Sequence, residues 1–136
     1  MTVITQNILR YTPVVVMTLL VFVLSLLPSF CFKQTVVPFP PIPGLDKVIH
    51  ALMYAALTAT CMYALPRDRR GHLATVLRIA LFMTLYGAAI EVCQKLFTIS
   101  RSMELLDISA NAAGALTSSL LIYTWLRCRP PATSAC

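Results

Sequence analysis

The sequence predicts an all-α integral membrane protein, a bundle of four transmembrane helices in a single domain spanning residues 1–136. Three observations lead there. First, 58% of the residues are hydrophobic and 12% charged, with mean hydropathy +0.78. A water-soluble domain of 136 residues needs more polar surface than that to cover its core. Second, long apolar runs alternate with basic or proline-rich connections. Third, ionisable and amide residues recur at the ends of successive runs: Asp46, Lys47 and His50, then Glu91 and Gln94, then Arg101, then Asp107 and Asn111. A charge within a span costs roughly 2.5–3.5 kcal/mol on insertion scales, so retained charges point to use.

The first predicted span, Tyr11 to Phe32, carries no charge in 22 residues, enough for one crossing at about 20 residues. No A-x-A site follows it, and Phe30 before Cys31 is unsuited to a lipoprotein cleavage box, so it reads as a retained helix and not a signal peptide. Between Lys33 and Leu45, Pro38, Pro40, Pro41 and Pro43 forbid a helix and favour an extended, stiff connection lying along the membrane surface. The second span runs from about Asp46 to Leu65 and ends in the basic turn Pro66–Gly71. The third runs from about His72 to Phe97; its uncharged middle, Ile79 to Ile90, is short. The fourth runs from about Leu105 to Leu126, with Trp125 as an interface anchor. Residues 127–136 read as a flexible tail.

Charge distribution sets an expected orientation. Arg10, Arg67, Arg69, Arg70, Arg127 and Arg129, with Arg78 if it snorkels, fall on one side, and Lys33, Lys47, Lys95 and Arg101 on the other. Seven against four favours both termini in the cytoplasm of a multi-pass protein of the cell inner (plasma) membrane. The net charge of +6 arises from clusters between apolar runs. That suits membrane orientation and anionic lipid, not nucleic acid. The five cysteines form no CxxC pair and no zinc spacing. Cys61 and Cys93 read as small buried hydrophobes, and a disulfide between Cys31 and Cys93 is open on position alone.

In this topology the polar residues converge at the outer leaflet. Asp46, His50 and Tyr54 recur every fourth residue and share one helix stripe. Gly87, Glu91 and Gln94 make a second stripe, and Asp107, Asn111 and Gly114 a third. The expected result is a polar pocket floored by His50 and Asn111. Ala110, Gly114 and Ser118 form a small-residue stripe that lets the fourth helix approach a neighbour closely.

The run Asp46-Lys47-Val48-Ile49-His50 with Tyr54 resembles the DKxxH…Y signature of the VanZ-like membrane protein family. Tyr86-Gly87 with Glu91 and Gln94 resembles its YGxxxEhxQ element, and Arg101, Asp107 and Asn111-Ala112-Ala113-Gly114 its R…D…NxxG element. The resemblance covers about residues 46–120, with the motifs in order. It implies a bacterial cell-envelope role related to glycopeptide (teicoplanin) resistance, and a context instead of a mechanism.

Two functions follow as expectations. In the first, the pocket binds an anionic headgroup, from a membrane lipid, a lipid-linked envelope precursor or an amphiphilic drug. Arg101 and Lys47 hold the anion, because guanidinium and ammonium groups meet phosphate or carboxylate well, and Gln94, Asn111 and Tyr54 complete the contacts. In the second, the protein is a hydrolase or transferase acting on a lipid phosphate. Asp46, Glu91 and Asp107 then hold a divalent cation such as Mg²⁺, and Glu91, His50, Asp46 and Asp107 are the catalytic candidates. A structural reading stands beside both: the carboxylates pair with Lys47, Lys95 and Arg101, the aspartates cap helices, and His50 bonds Asn111 or Glu91 to join helices. A transporter subunit is less well supported, since the cytoplasmic halves of the spans carry few polar residues. Four short helices leave apolar surface that lipid or a second copy of the chain can cover.

Overall fold

The computed structural model of the protein describes residues 3–26, 44–97 and 105–128. Every described element is helical: α1 (Val3–Leu26), α2 (Leu45–Ala64), the single turn α3 (Arg67–Arg70), α4 (Leu73–Phe97) and α5 (Leu105–Cys128). Three of these are long and apolar enough to cross a membrane, within Thr5–Leu26, Leu73–Phe97 and Leu105–Cys128. Of the long helices, α2 falls short of this measure, because Asp46, Lys47, His50, Tyr54, Thr58 and Thr60 interrupt its apolar content. By contrast α4, whose uncharged middle is short in the sequence, is one continuous 25-residue helix. The proline-rich connection, Cys31, Arg101 and the tail beyond Cys128 lie outside the described residues.

Helix α1 begins at Val3 and not at Tyr11, since its polar first residues can still form helix although they end the apolar run. Pro13 lies inside it, where the missing N–H removes one backbone bond. Gly44 caps the start of α2, with a φ of 80° that is open to glycine and strained for other residues; the Gly44 carbonyl accepts from the N–H groups of Lys47 and Val48 at 3.1 and 3.2 Å. At its other end Arg70 donates from Nε to the Leu65 carbonyl at 2.8 Å and from Nη2 to the Tyr63 carbonyl at 2.6 Å. A cation so placed satisfies carbonyls that the helix end leaves open and opposes the negative end of its dipole. Arg70 therefore has a structural task beyond any effect on orientation.

The most extensive packing joins α2 to α5, followed by α4 to α5; α1 lies against α2 and more lightly against α4. The core consists of Val21, Tyr54, Leu57, Met83, Ile90 and Ala115, with Met17, Met53, Cys61, Ile79 and Tyr86 packed on it. Burial is inverted relative to a soluble protein. His50, Thr58, Glu91, Gln94, Asn111 and Ser119 are buried, while Leu19, Leu52, Leu81, Phe82, Leu85 and Leu121 are exposed. Such an apolar outer surface is suited to lipid. Cys61, Cys93 and Cys128 are free thiols.

The α2–α5 contact depends on Gly114. A Cβ there would collide with the backbone of Ala51, so the helices meet backbone to backbone, as small residues allow within membranes. We expect Gly114→Ala to force them apart at a cost of about 1–3 kcal/mol, the range for overpacking. Gly71→Ala is the control, because a Cβ at Gly71 meets only the Asp68 carbonyl at 3.9 Å. Thermal unfolding in detergent should show a lower midpoint for the first variant and little change for the second.

Candidate functional site

The parallel pairing of α2 with α5 sets the polar groups side by side. Lys47 Nζ lies 3.1 Å from Asp107 Oδ1, and His50 Nδ1 lies 3.2 Å from Asn111 Oδ1. These contacts and Ala51–Gly114 keep one register, with partners about 60 residues apart in the chain. Helix α4 runs the other way and delivers its C-terminal half to the same end of the bundle, where Glu91 Oε1 lies 3.9 Å from His50 Nδ1. The α1 C-terminal end arrives there too: Gln94 Nε2 donates to the Ser25 carbonyl at 2.5 Å. Deeper along the same faces, Tyr86 donates to the Thr18 carbonyl at 3.0 Å.

These residues form a packed polar cluster. Glu91, Gln94 and Asn111 are essentially inaccessible, and His50 is buried. The Asp107 side chain is 13% exposed and that of Lys47 28%. Asp46 differs: its side chain is 59% exposed and pairs with Lys47 at 3.0 Å. The helix turn explains this, because Asp46 begins the stripe at the end of α2, where no other helix among the described residues covers it. Of Asp46, Glu91 and Asp107, Asp46 is thus the most peripheral, and His50 is the side chain that meets the other two. Ligand atoms of His50, Glu91 and Asp107 all lie within 4.8 Å of one another. A nitrogen and two carboxylates from three helices are a donor set suited to a divalent cation.

Tyr54 is fully buried one turn below His50, with its ring 6.3 Å from that of Tyr86. Its hydroxyl has no hydrogen-bond partner among the described residues, and neither has the Thr58 hydroxyl. The space beside Gly87 explains the fit: a Cβ there would lie 2.9 Å from Asn111 Nδ2 and 3.1 Å from Tyr54 Cζ. Glycine at this position therefore admits two polar side chains from neighbouring helices. The importance of Thr58, Ser25 and Ser119 is not apparent from the motifs. Their spacing is the available signal, since Thr58 extends the His50–Tyr54 stripe and Ser25 follows Val21 by one turn.

At the opposite end, a groove is lined by Tyr11, Arg69, Arg78 and apolar side chains of α1, α2 and α4. Arg10, Arg70 and Arg127 stack on Tyr11, Tyr63 and Tyr123, respectively, at 5.9, 5.5 and 5.5 Å. The two ends thus differ in chemistry: carboxylates, amides and His50 at one, arginine and tyrosine at the other.

Fold and site together define a small all-helical protein, compatible with multi-pass membrane insertion, that carries a buried polar cluster at one end. No protein-family model, curated protein or solved structure significantly matches the chain.

The Lys47–Asp107 pair, being partly covered, should contribute more than Lys47–Asp46. In double-mutant cycles built from Lys47→Met with Asp107→Asn or with Asp46→Asn, we expect coupling of about 1–2 kcal/mol for the first pair. For the second it should be under about 0.5 kcal/mol, as for exposed ion pairs. Equal couplings, read from unfolding in detergent, would contradict the burial difference.

Proposed function

We propose that this chain is a VanZ-like membrane protein of the bacterial cell envelope. It crosses the inner membrane four times with both termini in the cytoplasm, and its outer-leaflet site engages the anionic headgroup of a lipid, a lipid-linked envelope precursor or an amphiphile. The observation that carries this reading is the meeting of three sequence motifs. Residues 46–50, 87–94 and 107–114 come from separate helices, yet they interlock through Lys47–Asp107, His50–Asn111 and His50–Glu91. Motifs needed only for insertion have no reason to converge on each other.

Helix α2 supports the fourth crossing. Its 20 residues span about 30 Å at ~1.5 Å per residue, the thickness of the hydrocarbon layer. It contacts α1, α4 and α5, so its polar stripe can be covered by protein and need not meet lipid. The excess of arginine at the opposite end supports the orientation.

Charge balance refines the binding reading. Lys47 already contacts two carboxylates, so its ammonium is largely neutralised. Holding the anion then falls mainly to Arg101, which brings two parallel hydrogen bonds to phosphate or carboxylate. Gln94, Asn111 and Tyr54 are enclosed between the helices and support the site from behind.

A second reading is a hydrolase or transferase acting on a lipid phosphate with a divalent cation, and one observation favours it. The mutual approach of His50, Glu91 and Asp107 within 4.8 Å offers a place where a cation can offset carboxylates that otherwise repel an anionic substrate.

Mass spectrometry of lipid co-purifying with the protein tests the first reading. An anionic lipid should accompany the wild type and be depleted in Glu91→Gln and Arg101→Gln while both variants remain monodisperse in detergent. Loss of monodispersity with lipid retained would make these residues structural. Phosphate or headgroup release from a total lipid extract, dependent on divalent cation and absent in Glu91→Gln, would select the enzyme. For topology, green fluorescent protein fused at either terminus should fluoresce, and alkaline phosphatase fused at either should be inactive.

A further inference from the structure

We infer that His50, Glu91 and Asp107 bind a divalent first-row transition-metal cation, Zn²⁺ or Mn²⁺, with the Tyr54 hydroxyl holding a water molecule of its coordination shell. The inference rests on the preceding reading that this cluster is a ligand site; it names the ion and revises its ligands. Sequence spacing suggests Asp46, Glu91 and Asp107, an all-oxygen set suited to Mg²⁺. In the folded protein Asp46 is exposed and engaged by Lys47, and the buried third donor is the imidazole of His50.

That exchange changes the metal. Mg²⁺ and Ca²⁺ take oxygen ligands, whereas imidazole with carboxylate suits Zn²⁺ and Mn²⁺. The donors come from α2, α4 and α5, so the pre-formed bundle brings them within 4.8 Å. Small side-chain movements then reach the separations that bonds of about 2.0–2.2 Å to one ion require.

Two neighbouring groups support an ion with its hydration shell. Asn111 Oδ1 lies 3.2 Å from His50 Nδ1. That amide holds the ring in place beside Glu91, whose Oε1 lies 3.9 Å from the same nitrogen, and polar groups next to metal-bound histidines typically have this orienting task. Tyr54 is 0% exposed and its hydroxyl is without a partner among the described residues. A buried hydroxyl left unpaired is destabilising. Its Cζ packs where Asn111 Nδ2 also packs, beside Gly87 and one turn before Glu91. Three protein donors leave coordination positions for water, and such a water supplies what Tyr54 lacks. Lys47 does not block this, because a carboxylate has two oxygens and can meet an ammonium and a metal together.

The test uses full-length, tag-free protein in lipid-free detergent, stripped with chelator and titrated with Mn²⁺ by electron paramagnetic resonance and with Zn²⁺ by equilibrium dialysis. We expect one saturable equivalent per chain. Glu91→Gln and Asp107→Asn should weaken binding by more than about tenfold and Tyr54→Phe by about tenfold, the scale of an outer-shell loss, while Asp46→Asn titrates as wild type. Absence of saturable binding by the wild type overturns the inference, as does unchanged binding in both carboxylate variants. Should those variants fail to fold, pulsed resonance on Mn²⁺-loaded His72→Ala protein decides. His50 is then the remaining histidine, so imidazole nitrogen coupling supports the site and its absence overturns it. Because no lipid is present, metal binding without lipid co-purification would sink only the headgroup reading. Lipid retained in chelator by a protein that takes no metal would sink only the present inference.

Discussion

The contact between Gly114 and the backbone of Ala51 is the constraint on which the remaining arrangement depends. It lets α2 and α5 lie against each other without intervening side chains. Because the helices run parallel, this contact sets a register in which Lys47 meets Asp107 and His50 meets Asn111. A displacement by one residue would turn each polar group by about 100° around the helix, away from its partner. Gly87 has the complementary role on α4, leaving room for Tyr54 and Asn111 and letting Glu91 reach His50.

This dependence follows from the surroundings as much as from the contact. In hydrocarbon, apolar side chains gain little by turning inward, since lipid tails are equally apolar. Association must come from close packing and from polar groups that have nowhere else to go. The helices meet that requirement with Gln94 to the Ser25 carbonyl, Tyr86 to the Thr18 carbonyl and the His50–Asn111 contact. Each joins two helices, and α1, which otherwise turns mostly apolar residues outward, is tied to α4 by two of them.

The same economy shapes the chemistry at the site. Glu91 is enclosed by protein and adjacent to a histidine and a second carboxylate, in a medium where opposite charges attract more strongly and unbalanced ones cost more than in water. Lys47 answers part of that negative charge through its contact with Asp107.

Composition and spacing alone determined a good deal of this protein. The apolar runs specify an all-helical chain suited to a membrane, since consecutive apolar residues at these lengths have no stable alternative in water. The four-residue repeats Asp46–His50–Tyr54 and Gly87–Glu91, and Asp107–Asn111 with Gly114, define the polar faces, since helix geometry is local. How those faces combine is not local. Periodicity assigns Asp46 and His50 to one stripe, and only the packed helices decide that Asp46 remains at an open end while His50 is enclosed with Glu91 and Asp107. The weakest span by charge-free length is α4, yet it is long and apolar enough to cross, whereas α2 sacrifices apolarity to its polar stripe. The bundle can accommodate that stripe because α1, α4 and α5 pack against α2, and burial by neighbours is a property of the tertiary structure that no single helix encodes.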